Sequence, residues 1–159
     1  MAQKEFAGEI AYDWELWIGR TALVAEVSTT TWTQIYGFET LPFPDQTPSD
    51  EDATHMNSPS RTKETVPGLM SVASWSQEKQ LWPGDPGDTL LDDLVELTKA
   101  GTKEDVIFEF NIKPDGTSIR RAYRGYVDVF TPTGTVGGKA MSAVGAKLMN
   151  SVTPARVIE

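Results

Sequence analysis

The chain has 159 residues, enough for one domain built on a single modest core. A formal net charge of −9 works against wrapping nucleic acid, which calls for a basic surface, and the lack of cysteine excludes a disulfide framework, a thiolate metal site and a cysteine nucleophile. Ten prolines and thirteen glycines, with 39% hydrophobic residues, predict a small core interrupted by many turns.

The N-terminal residues Met1 to Phe6 carry no apolar signal stretch, and no apolar run approaches the roughly 18 residues of a membrane span. The expectation is a soluble chain made in the cytoplasm. Tyr12, Trp14, Leu16 and Ile18 then alternate, which predicts a half-buried strand from Tyr12 to Gly19. Trp17 interrupts the polar side of that alternation and suggests that both faces meet something. Ala22 to Val27 fits either a short strand or a connection, and Trp32 to Phe38 reads as a second strand.

Thr40 to Gly68 differs in character. It holds Pro42, Pro44, Pro48, Pro59 and Pro67 and the acidic run Asp50-Glu51-Asp52, with almost no periodic apolar residues. Loops beyond about 12–15 residues are usually functional or disordered, so the segment is expected to be mobile in the free subunit. Leu69 to Gln80 returns to strand composition.

The turn-rich Trp82-Pro83-Gly84-Asp85-Pro86-Gly87 leads into a helix expected over about residues 89–100. Asp88 or Thr89 is placed to cap it, with Asp92 in a capping-box-like spacing after Thr89. Leu90, Leu94 and Leu97, flanked by Leu91 and Val95, form the stripe expected to pack on a sheet. Asp92, Asp93 and Glu96 sit early and Lys99 late, as the helix dipole favours, and Gly101 supplies the stop.

A hairpin follows. Val106, Phe108, Phe110 and Ile112 share one face, and Ile107, Glu109, Asn111 and Lys113 the other. Pro114-Asp115-Gly116 makes the turn, and Ser118 to Phe130 returns. A Gly/Thr/Pro loop from Thr131 to Gly138 precedes a last alternating stretch of small residues, Ala140 to Val152. The order of elements predicts a mostly β fold, a β-sandwich or barrel with one flanking helix.

Motifs for catalysis are sparse. His55 lies in the polar loop without a patterned partner and reads as a solvated histidine; a metal site with Asp50 and Asp52 has no recognisable spacing. The run Asp50-Glu51-Asp52 lacks the alternating ligands and turn glycine of a calcium loop. It reads as a solvated acidic face or as a contact for basic residues on a neighbouring copy. Gly84 and Gly87 do not form a phosphate loop, because the lysine and hydroxyl are missing and Asp85 and Asp88 would repel phosphate. Arg120, Arg121 and Arg124 are the densest basic cluster, with Arg120 and Arg124 on one strand face and Arg121 on the other. Two readings stand: a solvated face with cross-strand pairing to Glu109, or a set of partners for acidic groups of an adjacent subunit. Of the five tryptophans, Trp14 and Trp75 fit core positions. No catalytic, cofactor or metal residue is assigned, and the chain is read as a structural protein without a cofactor.

Trp82-Pro83-Gly84-Asp85 before the leucine helix, then Pro114-Asp115-Gly116 leading to Tyr123-Arg124-Gly125-Tyr126-Val127, preceded by strands and a long acidic loop, resembles the major tail tube proteins of long-tailed, non-contractile bacteriophages. The resemblance runs from about Trp14 to Val152 and rests on order and spacing. It implies subunits in hexameric rings whose inner sheets join into one β-barrel, with rings stacked into a hollow tube that surrounds a tape measure protein and later conducts DNA. Some relatives carry a further immunoglobulin-like domain, and this chain looks like the version without it. By the same resemblance the protein resides in the virion tail, is assembled in the host bacterial cytoplasm, and meets a tail terminator and distal tail or baseplate proteins, with DNA only in transit and no membrane contact.

On this chain the resemblance implies a single domain over 1–159, with an N-terminal arm at 1–11, a stacking loop at 40–68 and a C-terminal arm at 153–159. Inter-ring contact would fall to Pro44, Asp45, Asp50, Glu51, Asp52, Arg61 and Lys63, and inter-subunit charge pairing to Arg120, Arg121 and Arg124. Elementary physics agrees: open sheet edges are an aggregation hazard that identical neighbours remove, and heterologous surfaces repeated along an axis give a filament. An acidic lumen would let DNA pass without sticking. The alternatives are the inner tube of a contractile tail or type VI-like secretion machine, which shares the fold, and, from another class, a small β-barrel that binds a ligand or carbohydrate through its tryptophans. An enzyme with a dispersed carboxylate pair is the remaining option.

Overall fold

The structure, a computed structural model, describes residues 14–24, 27–112 and 119–156. Alternating Leu16 and Ile18 build strand β1 (Glu15–Val24), the threonine-rich β2 (Val27–Ile35) follows, and further strands lie at β3 (Pro48–Asp52), β4 (Thr65–Met70) and β5 (Ala73–Gln80). The helix α1 (Pro86–Lys99) precedes β6 (Val106–Ile112), β7 (Ile119–Thr133) and β8 (Met141–Val152). Ala22 to Val24 therefore belong to β1 and Val27 opens β2. The turn expected at Pro114-Asp115-Gly116, Tyr12, and the arm at 1–11 lie outside the described residues.

Six strands form one antiparallel sheet in the order β2-β1-β6-β7-β8-β5. The sheet curls on itself. Phe38, just past β2, bridges to Lys79 of β5, and the Gln80 amide donates to the Gly37 carbonyl at 2.9 Å, so one end of the barrel is partly closed. Gly37 permits this approach: its φ of 97° suits glycine, and a Cβ there would meet the Gln80 carbonyl oxygen at 2.9 Å.

Inside the curl the alternation does what it predicts. Leu16 and Ile18 of β1, Phe108 and Phe110 of β6, Tyr123 and Val127 of β7, Val144, Ala146 and Leu148 of β8, and Trp75 of β5 share one core. The helix covers it, held to β7 by the Thr98 hydroxyl donating to the Val127 carbonyl at 2.6 Å. Its stop is the expected one: Gly101 takes φ 80° and Thr102 donates its amide to the Leu97 carbonyl at 3.0 Å.

Several expectations need correction. The helix begins three residues earlier than 89, at Pro86, because Asp85 caps it by accepting from the Gly87 amide at 3.0 Å and proline suits the first turn. Asp88 is no cap; it is buried. Within the stripe, Leu91, Leu94 and Val95 are buried, whereas Leu90 and Leu97 are only partly so. Trp14 stays 38% exposed at the core's edge, packed edge-on against Phe43. The segment 40–68 is not an irregular loop throughout, since β3 and β4 pair as an antiparallel hairpin from Pro48↔Met70 to Asp52↔Thr65. Consequently the stretch Leu69 to Gln80 is divided, with Met70 ending β4 and Ala73 beginning β5.

Candidate interaction surfaces

The first candidate surface is the pair of sheet borders. Among the described residues β2 pairs only with β1, and β5 only with β8 apart from the contact at Phe38 and Gly37. Away from that contact the outer backbone groups of both strands are open to pairing with another chain. Thr29, Thr30 and Thr31 are exposed along β2.

The second is the β3–β4 hairpin. All five β3 residues are exposed, including Asp50, Glu51 and Asp52, and β4 is exposed except at Gly68. Large apolar side chains that a solitary molecule would cover lie open here: Met56, Val66, Leu69 (86% exposed), Met70 and Val72. The tip is organised by polar bonds. Asp52 accepts from the Thr54 amide at 2.8 Å, and Glu64 donates its amide to the Thr54 hydroxyl at 2.9 Å. The Thr54 side chain, and then its backbone amide, hold the Asp52 carboxyl below its usual range. His55 sits at this tip, exposed, with Nε2 3.4 Å from Glu64, and Lys63 is exposed nearby. Among the described residues no group of three His, Cys, Asp or Glu side chains is placed to hold a metal, and no helix is long and apolar enough to cross a membrane.

The base of the hairpin is anchored and concave. Gln46 donates its side-chain amide to the Leu148 carbonyl at 3.1 Å. Beside it lies a cavity of about 400 Å³ lined by Pro44, Asp45, Gln46, Met70, Arg120, Arg121 and the start of the C-terminal segment. Two groups of residues that are distant in sequence, Pro44 with Asp45 and Arg120 with Arg121, thus meet in one place. The acidic run and Lys63 lie out along the hairpin and do not join them.

The three arginines have different environments. Arg120 donates Nε and Nη2 to Glu109 at 3.1 and 3.2 Å, the cross-strand pairing weighed from the sequence. Arg124 pairs with Asp105 at 3.0 Å and Asn150 at 2.7 Å while remaining exposed. Arg121 faces the other way, its guanidinium 6.0 Å from the Phe43 ring, and among the described residues it meets no carboxylate.

The outer sheet face holds a polar cluster that sequence reasoning missed. Glu109 is wholly buried and Asn111 nearly so, although alternation assigns them to the side opposite the core. Arg156 covers Glu109 at 3.2 Å, approaches Glu15 at 3.7 Å and stacks 4.1 Å from the Trp17 ring. Trp17 was the signal that both faces are occupied. A second missed pair joins Lys79 of β5 to Asp88 of α1, both buried, with Asp88 also accepting from the Trp82 amide at 2.7 Å. Elsewhere Glu104 holds the Arg20 pKa up, and Lys139, followed by Gln80, holds the Glu39 carboxyl below its usual range.

A larger cavity of about 770 Å³ opens between Trp14 and the segment Gln34 to Pro42. Only Trp14 of the five tryptophans lines it; Trp75 is core, and its indole donates to the Pro42 carbonyl at 2.8 Å.

No family model matches the chain, and no curated protein matches it in sequence. Solved structures do match. A sheath/tube terminator of the extracellular contractile injection system PVC, in its extended state, aligns at 13% identity with a TM-score of 0.65 over 95% of this chain and 99% of that one. A chain of the anti-feeding prophage (AFP) baseplate aligns at 7% identity and a TM-score of 0.62 over 93% and 96%. The SPP1 tail tube aligns at 10% identity and 0.57 over 91% and 78%. At such identities the likeness is one of fold: the chain has the mostly β, tail-tube-type fold shared by components of phage tails and contractile injection systems.

Proposed function

We propose that this protein is a structural subunit that joins edge to edge with its own copies into rings, six by analogy with the tail tube family, and that the rings stack into a hollow tube. The carrying observation is that, among the described residues, the sheet ends in two borders, β2 and β5, that meet each other only at the Phe38–Lys79 contact and are otherwise unpaired. Pairing β2 of one copy with β5 of the next continues the sheet and satisfies both backbones, and repetition closes a ring. The β3–β4 hairpin, with its exposed apolar side chains and no part in the core, supplies the ring-to-ring contact. In the tail tube reading the assembly conducts phage DNA and resides in the virion tail with tape measure, terminator and distal tail proteins. The same geometry serves the inner tube of a contractile machine.

The match to a tube terminator over nearly the full length of both chains favours a second reading, a ring that caps a tube rather than extends it. Negative-stain electron microscopy of the purified protein, over a range of concentration and ionic strength, separates these. Tubes support the subunit reading, and rings that never stack assign the cap. A particle that stays monomeric under every condition overturns both.

A further inference from the structure

We propose that the cavity at the base of the hairpin receives the acidic β3 strand of a second copy, with Arg121 as the charge partner of Asp50 and Glu51. The inference rests on the self-assembly reading and names the contact through which it would proceed.

Charge argues for the occupant. Arg120 and Arg121 both line the cavity, but Arg120 is already neutralised by the buried Glu109. Among the described residues Arg121 forms no ion pair and has the Phe43 ring 6.0 Å from its guanidinium, so its positive charge stays open to a carboxylate from outside. A guanidinium in that position favours a carboxylate, which it can bind through two parallel hydrogen bonds. Phosphate is the poorer guest, because Asp45 lines the same cavity and the chain as a whole is strongly acidic.

The chain carries the matching element. Asp50 and Glu51 are exposed and form no ion pair among the described residues, and their own hairpin brings neither within ion-pair distance of Arg121. Opposite them on β4 stands Val66, exposed, while Met70 and Val152 give the cavity an apolar wall. A partner strand thus finds both charge and apolar complement. Because the donor surface (the hairpin) differs from the acceptor surface (its base), the contact is heterologous and can repeat from copy to copy along an axis.

The cysteine-free sequence allows a direct test. In the Glu51→Cys/Arg121→Cys variant, mild oxidation is expected to give a ladder of covalent oligomers on a non-reducing denaturing gel. Each single-cysteine variant should stop at dimers. In parallel, Arg121→Glu is expected to raise the concentration needed for stacking about tenfold or more while leaving the melting temperature unchanged, and adding Asp50→Arg and Glu51→Arg to it should recover assembly. Wild-type tubes with neither a ladder nor an effect of Arg121→Glu overturn the inference and leave the tube reading standing. A wild-type chain that never assembles, with no ladder, overturns both.

Discussion

Arg156 places its guanidinium 3.2 Å from Glu109, 47 residues earlier in the chain, and so ties the C-terminal segment to the middle of the sheet. Glu109 is completely buried, and a buried carboxylate persists only when cations and donors replace its water. Here Arg120 and Arg156 supply them from two directions. Glu109→Ala would leave the Arg120 guanidinium without its carboxylate and Arg156 with the more distant Glu15 alone, and is expected to cost about 3–5 kcal/mol in urea unfolding. Arg156→Ala leaves Glu109 its Arg120 bonds and should cost less, about 1.5–3 kcal/mol. A Glu109→Ala chain as stable as the parent would show that the cluster contributes nothing.

The Lys79–Asp88 pair poses the same question where β5 meets the helix. Lys79→Met alone leaves Asp88 buried without its cation, and a loss of about 3–5 kcal/mol is expected. Adding Asp88→Asn keeps an acceptor for the Trp82 amide and removes the stranded charge, so the double variant should be the more stable of the two. A double-mutant cycle reads this as a coupling energy of about 1–3 kcal/mol, and strict additivity would deny it.

These two clusters also mark where the sequence stops being legible. Period-two alternation placed Leu16, Ile18, Phe108 and Phe110 in the core, because a strand's own pattern identifies its apolar side. It could not say what covers the other side, so Glu109 and Asn111 read as solvated although the returning C-terminal segment helps bury them. Asp88 and Thr89 were the caps that composition offered; Asp85 takes that place, and the Lys79 ammonium of β5 draws Asp88 inward, a contact distant in sequence that no local pattern shows. The hairpin was hidden by Pro48 and Pro67, which demote a strand unless it lies at an edge, and β3 and β4 carry no buried alternation to reveal them. The cavity joining Asp45 to Arg121 depends on contacts distant in sequence, which no local pattern encodes.

Gly125, in the Tyr123-Arg124-Gly125-Tyr126-Val127 stretch, has a steric reason to be glycine. A Cβ there would lie 2.2 Å from the Lys147 carbonyl oxygen and 3.1 Å from the Leu148 Cα, backbone atoms of the paired β8 that cannot swing away. Gly125→Ala should cost about 1–3 kcal/mol, lowering the melting temperature by several degrees. Gly134→Ala, with nothing within 4 Å of the new methyl, should stay within about 0.5 kcal/mol. Equal melting of the two variants would contradict the close approach of β7 and β8.

Strong acid should loosen the hairpin tip. The Asp52 carboxyl is lowered from its usual 3.8 by the Thr54 hydrogen bonds, so its folded pKa lies below its unfolded one. The contribution is therefore present above the ordinary carboxylate range and is lost as pH falls through the lowered value. The Thr54 amide resonance is expected to titrate with a midpoint below 3.8, and Asp52→Asn should abolish that titration. A midpoint at or above 3.8 would mean the bond is not formed in solution.

The hairpin should be removable without harm to the fold. None of its residues belongs to the core, and β3 and β4 contact each other without comparable contact to any other element. Pro48 and Met70 face each other at its base, so a turn of two to four residues, an estimate from hairpin geometry, can replace the segment. Gln46 and its bond to the Leu148 carbonyl remain in place. The shortened chain is expected to melt within about 4 °C of the parent, since shortening an exposed excursion changes closure entropy only slightly. It should also lose the open surface of Met56, Val66 and Leu69 and bind less of an apolar dye. In the microscope it should give rings or short arcs and no tubes, because lateral pairing uses β2 and β5 while stacking uses the hairpin. Tubes of normal length from this variant would remove the hairpin from the stacking contact and leave the sheet borders as the sole surface of assembly.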